Sequence, residues 1–120
     1  MKEELINRTL QELVNSSQHI EGAALVTSDG LMISSYLPSE MDEDRVSAMS
    51  AALLSLSERA VEELEKGIPQ QVTIKGDKGY IVITSAGEEA VLMVMAEEKV
   101  KLGLLYMEIK SAADKIKKAF

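Results

Sequence analysis

Seven consecutive apolar residues, Ala90-Val-Leu-Met-Val-Met-Ala96, constrain this chain more than any other feature. The run falls far short of the roughly 20 residues a membrane-spanning helix needs. Read as a strand, it turns apolar side chains to both faces, so it belongs inside a sheet covered above and below. The rest of the sequence must then supply neighbouring strands and helices for both faces.

Changes in hydrophobic period mark those elements. Ile6, Leu10, Leu13, Val14 and Ser17 form one stripe of an opening helix that should end near Ser16-Ser17, before Gly22. Residues 23–28 read as a strand, Asp29-Gly30 as a hairpin turn and residues 31–36 as the return strand, stopped by Leu37-Pro38. Ser39 to Asp44 offers N-cap candidates and acids suited to a helix N-terminus. The helix that follows should cover residues 42–66, closed by Gly67 with Pro69 beyond. Residues 71–75 and 80–85 form a second hairpin around Gly76-Asp77-Lys78-Gly79, residues 90–96 the last strand, and residues 102–118 a closing helix. Residues 71–75 should bury only Val72 and Ile74, with Gln71, Thr73 and Lys75 on the other face. That pattern predicts an edge strand, and an uncovered edge is a template for pairing with a second chain.

The 120 residues carry a formal charge of −7, no cysteine and one histidine, His19. This length suits one domain spanning residues 1–120. Disulfides, thiolate metal sites and histidine-based catalytic pairs are excluded. The charged opening residues lack the apolar block of a signal peptide, so the expectation is a soluble, cytoplasmic protein with no membrane insertion. Acidity and scarce aromatics also argue against a nucleic-acid partner. The charge is uneven: six lysines against Glu108 and Asp114 leave residues 99–120 at +4, and the remainder at −11. A basic last helix suits its own C-terminal dipole; a phosphate-binding face is the alternative.

On the middle helix, Val46, Met49, Leu53, Leu56, Ala60 and Leu64, with Leu54 and Val61 at one margin, form a broad stripe expected on the sheet. The opposite side carries Glu58, Arg59 and Glu62 late, but Ala48, Ala51, Ala52 and Ser55 early. Small uncharged residues there would let another helix approach closely. Ala and Ser are also ordinary helix fillers.

Three segments together resemble the roadblock/dynein-light-chain family, including its MglB-type members. They are Ile20-Glu-Gly-Ala-Ala-Leu-Val-Thr-Ser-Asp-Gly-Leu-Met-Ile-Ser-Ser, Val46-Ser-Ala-Met-Ser-Ala-Ala-Leu-Leu, and Leu102-Gly-Leu-Leu-Tyr-Met-Glu-Ile-Lys-Ser-Ala-Ala-Asp-Lys-Ile. The resemblance implies an α+β sandwich of the profilin-like kind. Its five-stranded antiparallel sheet, order 2-1-5-4-3, has the middle helix on one face and the terminal helices on the other. It further implies a homodimer paired through the third strand, and a business of regulating small Ras-like GTPases, in MglB-type members by activating hydrolysis. Tyr106 departs from the pattern, standing where many relatives are expected to carry a basic residue.

No chemistry of bond-making emerges. Gly76-x-x-Gly79 joins two strands and leads into no helix, so it is a turn and not a phosphate loop. Glu88-Glu89 and Glu97-Glu98 diverge along extended chain, and Glu40, Asp42, Glu43 and Asp44 lack the pattern of a calcium loop. His19 reads as a surface or capping residue. An arginine finger accelerates GTP hydrolysis by roughly 10³–10⁵, but local ion pairing with neighbouring acids accounts for both Arg45 and Arg59. The expectation is therefore a non-enzymatic protein with no catalytic residues, no metal and no cofactor. It would pair with itself through Val72, Thr73, Ile74, Ala48, Ala51, Ala52 and Ser55, and offer Arg45, Met49, Ala48, Ala52 and Ser55 to a GTPase. A scaffolding adaptor without effect on nucleotide turnover, or a small-molecule sensor, are the alternatives.

Overall fold

A computed structural model describes residues 3–119; Met1, Lys2 and Phe120, which the single-domain expectation includes, lie outside the described residues. The chain runs α1 (Glu3–Asn15), β1 (Ile20–Thr27), β2 (Met32–Tyr36), α2 (Glu43–Glu63), β3 (Val72–Gly76), β4 (Gly79–Ser85), β5 (Ala90–Glu97) and α3 (Leu102–Lys117). The strands form one antiparallel sheet in the order β2-β1-β5-β4-β3. The two-sided run is its central strand, and Ala90 to Val94 are buried without a break.

Alternation along the strands splits the core into two layers. Ala23, Leu25, Val82, Leu92, Val94 and Ala96 pack with Ile6, Leu10 and Leu13 of α1 and Leu105, Ile109 and Ile116 of α3. On the other face, Ala24, Val26, Ile83, Val91 and Met93 meet Val46 and Leu54 of α2. The second layer is smaller because one helix, not two, covers that side.

Both hairpins follow from their turn residues. Gly30 N–H donates to the Thr27 carbonyl at 2.9 Å and Thr27 N–H to the Leu31 carbonyl at 2.8 Å, enclosing a three-residue loop. Gly30 takes the left-handed position of that loop at a φ of 91°. The β3–β4 turn is tighter, with Gly76 paired to Gly79 across Asp77-Lys78. A Cβ on Gly79 would sit 2.2 Å from the Ala96 carbonyl oxygen, so glycine alone lets β4 approach β5 there.

Two expectations for α2 require correction. The helix starts as expected, with the Asp42 carboxylate accepting the N–H groups of Asp44 at 3.0 Å and Arg45 at 3.2 Å. It does not reach Lys66 or end at Gly67. Glu65 takes the left-handed conformation at a φ of 58°. Glu65 N–H then donates to the Glu62 carbonyl at 3.2 Å and Lys66 N–H to the Val61 carbonyl at 2.7 Å. This is a Schellman closure with glutamate where glycine is usual.

The sheet-facing stripe is also rotated from the expected one. Val46, Ser47, Ser50 and Leu54 are buried, while Met49, Leu56, Ala60 and Leu64 are exposed and Leu53 is half-buried. The serines can turn inward because their own helix satisfies them. Ser47 Oγ donates to the Asp44 carbonyl at 3.0 Å, Ser50 Oγ to that of Val46 at 2.8 Å and Ser57 Oγ to that of Leu54 at 2.7 Å. A hydroxyl so bonded adds little burial cost and leaves room for the bulky Ile83, Val91 and Met93 beneath.

Candidate functional site

Rotation of α2 leaves a run of unpartnered apolar surface on this side of the sheet. Met49 is 53% exposed and Leu56 63%, and Ala60 lies on the same flank of the helix at 100° per residue, with Ala52 at its border toward Ala48 and Ser55. The sheet continues the surface outward. Ile74 of β3 pairs directly with Ile81 of β4, and each is 38% exposed. Ile74 was expected to be buried with Val72. Val72 is half-buried, but α2 does not extend over the Ile74–Ile81 row, so these two large side chains face solvent.

The edge itself is open among the described residues, where β3 pairs only with β4. Thr73 faces the other side of the sheet, where its hydroxyl lies 3.0 Å from the Tyr106 hydroxyl of α3. Tyr106 therefore ties the closing helix to the edge strand.

The remaining candidates spread over the outer surface of α2. Ala48, Ala52 and Ser55 are exposed. Ala51 is half-buried beside the β1–β2 turn, where a Cβ on Gly30 would lie 3.9 Å from its own Cβ. Arg59 Nη2 pairs with Glu63 at 3.4 Å, as expected. Arg45 does not follow that expectation: among the described residues no carboxylate lies within 4.0 Å of it. Its backbone N–H is held by the Asp42 cap, and its side chain is free at the start of the exposed surface. His19 Nδ1 is paired with the Glu97 carboxylate at the β1–β5 end of the sheet, remote from α2.

This geometry suits contact with a folded surface more than capture of a small molecule. Concavities of about 290 to 410 Å³ are lined by residues outside α2. Among the described residues no group of three or more His, Asp or Glu is placed to hold a metal ion, and no helix is long and apolar enough to cross a membrane. The sequence had assigned Met49 to the sheet stripe as well as to the partner surface, and had missed Leu56 and Ile81 as surface residues. The signal for Leu56 was the spacing of Ser47, Ser50 and Ser57, which share a face with Leu54 and Val61 and mark where the helix packs closely.

Comparison with known proteins supplies the wider frame. A model of the Roadblock/LC7 domain matches residues 6–96. Two uncharacterized proteins of Methanocaldococcus jannaschii are each 40% identical over 97% of this chain and 100% of their own length. Among solved structures, Myxococcus xanthus MglB superposes with a TM-score of 0.91 at 22% identity, covering 99% of this chain and 90% of that one. A Roadblock/LC7 domain from Streptomyces avermitilis gives a TM-score of 0.88 at 23% identity, covering 94% and 95%. At those identities the likeness of the two structures speaks for the fold.

Proposed function

The chain belongs to the Roadblock/LC7 family, and from that membership we propose that it is a cytoplasmic, non-enzymatic homodimer that binds a small Ras-like GTPase and promotes GTP hydrolysis on it. One observation carries this reading: the exposed flank of α2 and the Ile74–Ile81 row form an apolar surface beside an open strand edge. A solvated row of this kind on an edge strand invites pairing with a second chain.

We assign the two partners to different parts of that surface. The sister subunit pairs β3 with its own copy through Val72, Thr73 and Ile74, and covers Met49, Leu56 and Ile81. The same two-fold places the two α2 helices side by side. The GTPase then meets Ala48, Ala52 and Ser55 on the outer side of α2, with Arg45 at the margin. Ala51, turned toward the β1–β2 loop, contributes packing under that surface.

The chain acts on hydrolysis by shape. A surface that favours one arrangement of the GTPase switch segments shifts their population toward it, to the extent of its differential affinity. Single-turnover hydrolysis by the cognate GTPase, with and without this protein, tests the proposal. Acceleration that is lost in Ala52→Glu is the expected result. Binding without acceleration would leave the scaffolding adaptor as the better description.

A further inference from the structure

The opposite side of the molecule carries a second exposed surface, independent of α2. In the layer built from α1 and α3, most large apolar side chains are buried, but Leu104 is 59% exposed and Met107 69%. They lie one turn apart on the outward side of α3, next to Gly103, where an added Cβ would meet nothing within 4 Å. Farther along the same side come Lys110, Asp114, Lys117 and Lys118, all exposed. Among the described residues no carboxylate lies within 4.0 Å of any of these lysines; only Lys115, turned toward α1, has a partner, Glu12 at 3.8 Å. An open groove of about 400 Å³ runs beside this side of α3, with Tyr106, Lys110 and Lys117 on one wall and Ile68, 81% exposed, on the other.

We infer that the outward side of α3 is a docking surface for an acidic amphipathic helix of a partner protein. The partner's apolar side chains would cover Leu104 and Met107, its backbone would come close at Gly103, and its carboxylates would meet Lys110 and Lys118. Charge complementarity selects this occupant: Lys110, Lys117 and Lys118 stand against Glu108 and Asp114 on this side, within residues 99–120 that carry +4 in a chain of net charge −7. The lysines are too widely spaced for one small anion, since Lys110 and Lys118 are separated by about 12 Å of helix rise. A nucleic acid would need a continuous basic track, and Asp114 interrupts it. Tyr80 lies under Lys75 and Tyr106 is held by Thr73, so neither is free for base stacking. An anionic bilayer is flat and would also meet the carboxylates of Glu3, Glu4 and Glu12 on α1, in the same layer. A helix laid along α3 avoids them.

The probe is a fluorescein-labelled 18-residue synthetic helix with Leu at every third or fourth position and Glu on the flanks, and a copy with Gln in place of Glu. Anisotropy titration of the full chain should show saturable binding of the Glu peptide, at least tenfold tighter than the Gln copy and weakened by 0.5 M NaCl. Amide shifts in an NMR titration should cluster at residues 68–71 and 103–118. Lys110→Glu/Lys118→Glu should lose at least tenfold, Met107→Ala several-fold, and the charge-reversal control Lys78→Glu, on the β3–β4 turn, nothing. All three lysines are exposed, so circular dichroism should show unchanged folding. The inference is overturned if the two peptides bind alike, or if the double variant binds as wild type does. It is also overturned if shifts map to α2, or if phosphatidylserine vesicles or single-stranded RNA bind in the same buffer and are the ligands the double variant loses. No GTPase enters the experiment, so its outcome is separate from that of the proposed regulatory role.

Discussion

Glu65 holds a left-handed backbone that costs an L-residue roughly 1–2 kcal/mol, and glycine escapes most of that cost. Its side chain is exposed and among the described residues makes no ion pair, so nothing in the fold requires a glutamate there. Glu65→Gly should therefore stabilise the protein by about 1 kcal/mol in urea denaturation, with an unchanged m-value. A loss of stability would mean that α2 does not close at this residue in solution. The opposite end of the helix gives the contrasting case. Asp42→Ala removes the acceptor for two N–H groups and should cost about 1 kcal/mol by the same measurement. The N-cap was legible in the sequence because a capping side chain acts on its own neighbours. The C-cap was not, because Gly67 advertised a left-handed turn that the chain had already made two residues earlier.

Element by element, strands were easier to read than the helix between them. The order of elements, both hairpins, the central strand and the edge strand all followed from period, turn residues and one- or two-sided burial. The face of α2 did not, because hydropathy puts serine outside and leucine inside. Here Ser50 is buried with its hydroxyl bonded to the Val46 carbonyl, while Leu56 stays in solvent. The rotation can be tested by a pair of substitutions with opposite expectations. Ser50→Leu should overpack the α2 layer and destabilise the chain by about 1–3 kcal/mol. Leu56→Ser, measured at protein concentrations low enough to keep the chain monomeric, should change stability by less than about 0.5 kcal/mol. The expected sheet stripe of the sequence reading would give the reverse result, with Leu56→Ser the damaging change.

At the scale of the whole molecule, the sheet separates two surfaces of different character. One face ends in an apolar flank, uncharged between Arg45 and Glu58, that runs into an open strand edge; the other carries the basic side of α3. The proposed dimer uses the first, and its assembly can be separated from GTPase binding by where charge is introduced. Ile74→Asp places a carboxylate in the Ile74–Ile81 row, at the edge where two β3 strands would pair. A buried, unpaired charge of that kind costs several kcal/mol, so this variant should be monomeric at 10 μM by light scattering while the wild type has twice the mass. Within the monomer Ile74 is already partly exposed, so the variant should keep its fold and its far-ultraviolet circular dichroism. Ala52→Glu sits on the outer side of α2 and should leave the mass at that of a dimer while abolishing acceleration of hydrolysis. If Ile74→Asp remains a dimer, the open edge is not the site of assembly. If Ala52→Glu dissociates the dimer, the outer side of α2 belongs to the sister subunit and the GTPase must approach elsewhere.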